Sequence, residues 1–209
     1  VGGLLAVLIR IELMESTEII LDVNNYNTAM GLHGIIMVAV AVAIIMGGFA
    51  NFLVPLMIGA DDVAFPRLNA LSFWIVPPVA VLLIATPLMG GFDSGWTAYP
   101  PLSVLNASGQ LLFLLAFLTF GLSSILGGLN FIATIITMRA PGMTWGRLPI
   151  FVWSIFAAAM ISLTATQFVA VGMVMVILDR VAGTGFFDTG AGGDAILYEH
   201  VFWFYSHPA

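Results

Sequence analysis

Leu111-Leu-Phe-Leu-Leu-Ala-Phe-Leu-Thr-Phe-Gly-Leu-Ser-Ser-Ile-Leu-Gly-Gly-Leu-Asn-Phe-Ile-Ala-Thr-Ile-Ile-Thr-Met138 runs for 28 residues without an ionisable side chain. A helix rises about 1.5 Å per residue, so about 20 mainly apolar residues cross the roughly 30 Å hydrocarbon layer of a bilayer. Three more runs are long enough: Thr28–Ala60, Leu71–Met89 and Ile150–Leu178. The terminal runs, Val1–Met14 and Leu197–Ala209, are too short to cross alone and read as truncated helices, which gives six spans. Alternation at period two is absent, which argues against a membrane barrel. The reading is an all-α, polytopic transmembrane helical bundle, one transmembrane domain over 1–209.

Composition agrees. Of 209 residues 61% are hydrophobic and 8% charged, with a mean hydropathy of +1.10. Sixteen ionised side chains, 5 basic and 11 acidic, cannot cover a water-exposed globule of this size. The net charge of −6, with every cation an Arg, excludes nucleic acid as a partner and leaves membrane lipid as the surroundings. The absence of Cys removes disulfides, thiolate metal sites and a catalytic thiol. Val1 opens inside an apolar run with no basic region before it, and Leu197–Ala209 stops without a turn signal. The expectation is an internal piece of a longer polytopic protein, not a signal peptide followed by a domain.

The connections are Glu15–Asn27, Asp61–Arg67, Gly90–Asn106, Arg139–Arg147 and Asp179–Asp194. Pro100-Pro101, Pro141 and Gly190–Gly193 break helices within them. The second and fourth hold Arg67, Arg139 and Arg147, and the other three only Arg180, so the positive-inside rule places the second and fourth in the cytoplasm.

Ionisable residues inside a membrane are costly and are functional candidates by default. His33 lies in the second span, with Gly31, Gly34, Gly47 and Gly48 along the same run. Two readings stand: room for a flat bulky group such as a porphyrin, or close helix packing around a hydrogen-bonded His. His200 and His207 share a helix face but sit about 10 Å apart along it, so one metal cannot take both. His200 reads as an interfacial residue and His207, before the helix-bending Pro208, as a ligand. In the fourth span Thr119, Ser123, Asn130, Thr134 and Thr137 form one polar stripe. It reads either as interhelical glue or as the lining of a chain of waters, which Asn51 and Asn69 would extend towards Asp61-Asp62.

Longer motifs carry a resemblance. Gly47–Asn69, Gly95-Trp-Thr-Ala-Tyr99-Pro-Pro101, Ser123-Ser-Ile-Leu-Gly-Gly-Leu-Asn130 and Leu197-Tyr-Glu-His-Val-Phe-Trp-Phe-Tyr205-Ser-His207-Pro208 resemble the large catalytic subunit of haem–copper oxidases. Phe65-Pro-Arg67-Leu-Asn69 and Phe151-Val-Trp-Ser154 look like the cytochrome c branch. The resemblance implies a larger, about twelve-span subunit in a prokaryotic plasma membrane, beside other oxidase subunits, notably subunit II. It implies reduction of O2 to water with electrons from cytochrome c and coupled proton pumping, using a low-spin haem, a high-spin haem and a copper ion. It matches His33 to an axial ligand of the low-spin haem iron, Arg10 and Trp96 to residues beside that haem's substituents and propionates, and His207 to the first of three copper ligands. Asp62, Asn51, Asn69, Ser123, Ser124 and Asn130 match a cytoplasmic proton-uptake path. The remaining metal ligands would lie beyond Ala209, so the piece alone is expected to be inactive.

One departure stands out. The resembling oxidases mostly carry a Glu two residues after the copper histidine, where this chain has Ala209. Tyr205 and Ser206 lie one helical turn before it, as in the subgroup where a Tyr-Ser pair replaces that glutamate. The competing readings are a quinol oxidase of the same superfamily and a redox-inactive ion transporter that uses the polar stripe.

Overall fold

The computed structural model describes residues 1–105 and 108–207, apart from the side chains at 40, 42 and 43. The expectations for Pro208 and Ala209 therefore lie outside the described residues. The elements are α1 (Gly2–Glu12), α2 (Val23–Ile35), a π-helical stretch (Ile36–Val42), α3 (Ala43–Ile58), α4 (Pro66–Trp74) and α5 (Val76–Ala85). They are followed by the single turn α6 (Leu102–Leu105), then α7 (Ser108–Thr137), α8 (Ile150–Ala182) and α9 (Ala195–Ser206). Six rods result, because α2, the π stretch and α3 run on as one, and α4 continues into α5. Four rods, Val23–Ile58, Pro66–Ala85, Ser108–Thr137 and Ile150–Ala182, are long and apolar enough to cross a membrane. The chain is an integral membrane protein built only of helices among its described residues.

The ends of the spans differ from the sequence reading, for local reasons. Pro66 occupies the first turn of α4, where a missing N–H costs nothing, so the third span starts at Pro66 and not at Leu71. It steps at Ile75, since Pro77 and Pro78 follow without N–H groups to continue the ladder. Asp22 caps α2 by accepting from the Asn25 N–H at 2.8 Å, so the second span opens five residues early. α8 runs to Ala182 and stops at Gly183 with φ +65°. Asp179 and Arg180, read from sequence as loop, are therefore helical.

α7 is the central rod and packs on α4, α5 and α8; α8 in turn carries α9, and α1 lies along α2. Two apolar cores result. One, around Phe92, Phe113, Met173, Tyr198 and Phe202, joins the 90–99 loop to α7, α8 and α9. The other, around Ala50, Val54, Ile58, Ile135 and Val152, joins α3 to the far ends of α7 and α8.

The loops sort onto two sides as expected. The Ala140 N–H donates to the Ile58 carbonyl at 2.9 Å, tying the second and fourth connections together. On the opposite side Thr28 exchanges hydrogen bonds with the Phe92 backbone, and Arg180 donates to the Ser103 and Val104 carbonyls at 2.8 and 2.9 Å. Buried Asp179 accepts from the Thr184 hydroxyl at 2.5 Å and from the Phe186 and Phe187 N–H groups at 3.0 Å. In the full-length protein, Asp179→Ala strands those donors and is expected to cost at least about 2 kcal/mol, given about 1.5–3 kcal/mol per bond to a charged group. A lowered Tm and faster proteolysis within 183–187 check it; Glu15→Gln, an exposed loop acid, is the control.

Candidate functional site

Two places in the bundle collect chemistry. The first surrounds His33, which lies near the end of α2, one residue before Gly34 and three before the π stretch. Its Nδ1 lies 2.9 Å from the Gly2 carbonyl of α1. A carbonyl can only accept, so Nδ1 carries the proton of this contact, and in the neutral imidazole Nε2 holds the lone pair. Among the described residues Nε2 has no partner. An imidazole fixed in this way is arranged as metal-binding histidines are, with the far N–H held by a backbone carbonyl.

The small residues near His33 do not leave one common space, which corrects the reading of the four glycines. A Cβ at Gly31 would lie 2.5 Å from the Phe92 ring, and one at Gly34 2.8 Å from Trp96 Cδ1. Those positions admit aromatic side chains from the 90–99 loop. Gly47 and Gly48 have nothing within 4 Å of such a Cβ and face open space. Trp96, against Gly34, also meets Phe202 and Trp203 with ring centroids 5.7 and 6.4 Å away. It thus wedges the helix of His33 against the helix of His207, and Trp203 Nε1 donates to the Tyr99 hydroxyl.

His207 is exposed at the end of α9, and its N–H donates to the Trp203 carbonyl. Among the described residues no three His, Asp or Glu side chains converge into a metal cluster. His200 is exposed. Arg10 is exposed on α1 and has no hydrogen-bond or ion-pair partner among the described residues. It lies eight residues past Gly2, about 12 Å along the axis from the carbonyl that His33 engages.

The second place is a cavity of about 620 Å³ between the two apolar cores, walled by α3, α4, α7 and α8. Asn51, Asn69, Ser123 and Ser124 all line it, so four of the sequence candidates converge. Ser72 and Ser162 line it too and escaped the sequence reading. Their only signal was spacing: Ser72 stands one turn after Asn69, and Ser162 sits on α8, which carried no stripe. The serine hydroxyls are spent on backbone carbonyls. Ser72 donates to Asn69 and Ser123 to Ser72, at 2.8 and 2.7 Å, and Ser124 and Ser162 donate to Phe120 and Ser124 at 3.4 Å. Asn51 donates to the Gly47 carbonyl, which leaves its buried Oδ1 without a partner. The wall is thus mostly apolar, and its polar groups are serine oxygens and the Asn51 and Asn69 amides.

The stripe on α7 does not act as one unit. Asn130 Oδ1 accepts from the Phe65 N–H and Thr134 Oγ1 from the Ala64 N–H, both at 2.9 Å, so these two clamp the turn after Asp62. Thr119 and Thr137 bond within their own helix. Only Ser123 of the stripe reaches the cavity. Asp61 and Asp62 are exposed, and Asp62 Oδ1 accepts from the Val63 N–H at 2.7 Å. At the top of the bundle Tyr205 is half-buried and Ser206 Oγ is buried without a partner among the described residues.

The whole chain, residues 1–209, matches the family described as Cytochrome C and Quinol oxidase polypeptide I. It is 48% identical over 211 residues to the cytochrome c oxidase subunit 1 of Thermostichus vulcanus, covering all of this chain and 38% of that protein. The proteins of the same name from Synechocystis sp. and Bacillus subtilis are 43% and 42% identical, again over all of this chain and over 38% and 34% of theirs. The chain thus spans little more than a third of the length of these curated relatives.

The packing generates a contrast. Gly34→Ala in the full-length protein overpacks Trp96 and is expected to cost about 1–3 kcal/mol. Gly47→Ala meets nothing and, with alanine favoured in helices by about 0.5–1 kcal/mol, should hold or raise Tm. Thermal unfolding of both variants checks the order.

Proposed function

Since the chain belongs to the cytochrome c and quinol oxidase polypeptide I family over its whole length, we propose that it is part of the catalytic subunit of a terminal respiratory oxidase. The intact protein reduces O2 to water with electrons from cytochrome c and couples this to proton pumping, within a prokaryotic plasma membrane and beside other oxidase subunits, subunit II among them. All three relatives are named cytochrome c oxidase subunit 1, which supports the cytochrome c reading over a quinol oxidase. The observation that carries the proposal is the His33 imidazole, fixed by the Gly2 carbonyl with Nε2 free. A redox-inactive transporter has no use for such a ligand.

The residues suit the implied groups. His33 would hold the iron of the low-spin haem through Nε2. Arg10, a membrane cation without a protein partner among the described residues, suits a polar haem substituent. Trp96 is set between the two histidine-bearing helices, at the side of the 90–99 loop, and suits the propionate edge. His207 would supply one copper ligand, and neutral imidazole is an apt donor for both metals. The high-spin haem has no ligand candidate in this chain. When bound, these groups carry the electrons and bind O2.

The chain's own part is to position and to deliver protons. An unpaired ion in apolar protein costs so much that protons need hydrogen-bonded stepping stones. Asp62 gathers protons at the exposed mouth, and the turn behind it is held by Asn130 and Thr134. Asn51, Asn69, Ser123 and Ser124 orient waters in the cavity above. Tyr205 and Ser206 stand at the upper end in place of a carboxylate; a phenol, whose unperturbed pKa is about 10, is a poor proton store and serves to pass protons along.

In the full-length enzyme, His33→Ala is expected to remove the low-spin haem signal from the reduced-minus-oxidised spectrum while copper stays bound. His207→Ala should lose copper and O2 reduction and keep the low-spin signal. Retention of the low-spin haem in His33→Ala, or of copper and turnover in His207→Ala, would falsify the respective assignment.

A further inference from the structure

Among the described residues, Thr119, Thr134, Thr137 and Thr164 each satisfy their hydroxyl on the carbonyl four residues earlier, the ordinary habit of threonine in a helix. Thr166 does not. It is 1% exposed, and its Oγ1 is buried with no partner in hydrogen-bond geometry among the described residues. Its methyl group points at α7, where a Cβ at Gly121 would lie 3.3 Å from Cγ2. The polar group that faces its hydroxyl is the phenol of Tyr205 on α9. One turn below on the same face of α8 stands Ser162, which lines the cavity and donates to the Ser124 carbonyl. One residue beyond Tyr205, Ser206 Oγ is a second buried hydroxyl without a partner.

A buried hydroxyl that forgoes the carbonyl within its reach leaves a group unsatisfied unless water or a moving proton completes it. We infer that Ser162 and Thr166 of α8 form the upper segment of the proton path, joining the cavity to Tyr205 and Ser206. This rests on the oxidase reading and adds a rod that the matched path residues, on α3, α4 and α7, do not include. The step is a relay between neutral groups. An excess proton carried by a cavity water passes to the Thr166 oxygen as Thr166 releases its own proton to the Tyr205 oxygen and Tyr205 gives its phenolic proton to the next water above. The O–H bonds broken and made are equal in number, no electron moves, and no hydroxyl is left charged. Gly121 keeps the interface thin enough for the Thr166 methyl to seat on α7 while the hydroxyl turns to α9.

The test uses the full-length enzyme with its haems and copper, reacting in its reduced form with O2 in a single turnover. Thr166→Val keeps the shape and removes the hydroxyl. It is expected to slow the proton-coupled phase by about tenfold or more, within the reach of a positioned proton-transfer group. It should also raise the solvent deuterium isotope effect of that phase and leave the haem spectra and reduction by cytochrome c unchanged. Thr166→Ser should restore the rate, which a packing role for the methyl would not allow. Should valine disturb haem incorporation, Thr166→Ala is read in the same way. An ordinary proton-coupled phase in the hydroxyl-free variant, with Asp62→Asn slow in parallel, overturns the inference and leaves the path itself standing. Ordinary behaviour in both overturns the path reading beneath it. Slowing that Thr166→Ser fails to reverse also overturns the inference, because the hydroxyl is then not the active feature.

Discussion

Where a span leaves the apolar layer, its neighbouring loop still carries backbone N–H groups that must be satisfied, and this chain solves the problem with side chains from the span ends. Glu12, buried at the end of α1, accepts from three successive N–H groups, those of Ile19, Ile20 and Leu21, at 2.8 to 2.9 Å. Asp179 does the same for the loop after α8, Arg180 serves the carbonyls of α6, and Asn130 with Thr134 holds the turn at Ala64 and Phe65. A short carboxylate or amide at a helix terminus can replace several waters at once, which is economical where water is scarce. Both candidate sites depend on these clamps. The 90–99 loop can press Trp96 onto Gly34 because Thr28 fixes Phe92, and the mouth at Asp62 keeps its place because α7 fixes the residues after it.

The same constraint explains what the sequence revealed and what it hid. Long uncharged runs can only be buried in lipid or protein, so the six rods and their alternating sides were legible from hydropathy and the placement of the four loop arginines. Boundaries were not. Asp179 and Arg180 looked like loop because charges end hydropathy windows, yet they extend α8 by pairing with loop backbone instead of water. The polar stripe on α7 was legible as a period and not as a function. Helical spacing places residues on one face, but neighbours decide whether that face meets a loop, a helix or a void, and here it meets all three.

The histidine site shows the limit in another form. His33 could be singled out, because an imidazole in an apolar run needs a reason. The reason visible in the fold, a proton fixed on Nδ1 by a carbonyl of a different helix, has no sequence signal, since backbone atoms carry no residue identity. The glycines misled for a related cause. Gly31 and Gly34 differ from Gly47 and Gly48 only in what lies opposite, aromatic rings in one case and open space in the other.

The serines of the cavity carry that point into chemistry. Serine is both donor and acceptor, so a count of serines near a presumed path says nothing about the sign of the charge that the path favours. Four hydroxyl protons, from Ser72, Ser123, Ser124 and Ser162, are committed to backbone carbonyls, and Asn51 commits an amide N–H in the same way. What the serines leave for the cavity is oxygen lone pairs, beside the N–H groups of the Asn69 amide and the second N–H of Asn51. Waters beside the serines present hydrogens to them, and waters beside the two amides can accept an N–H. Ser72 and Ser124 find their carbonyls within their own helices, three and four residues back, while Ser123 and Ser162 donate across the interface to α4 and α7. The donor–acceptor balance of the wall is thus set by the packing of the helices as much as by the residues that face the void.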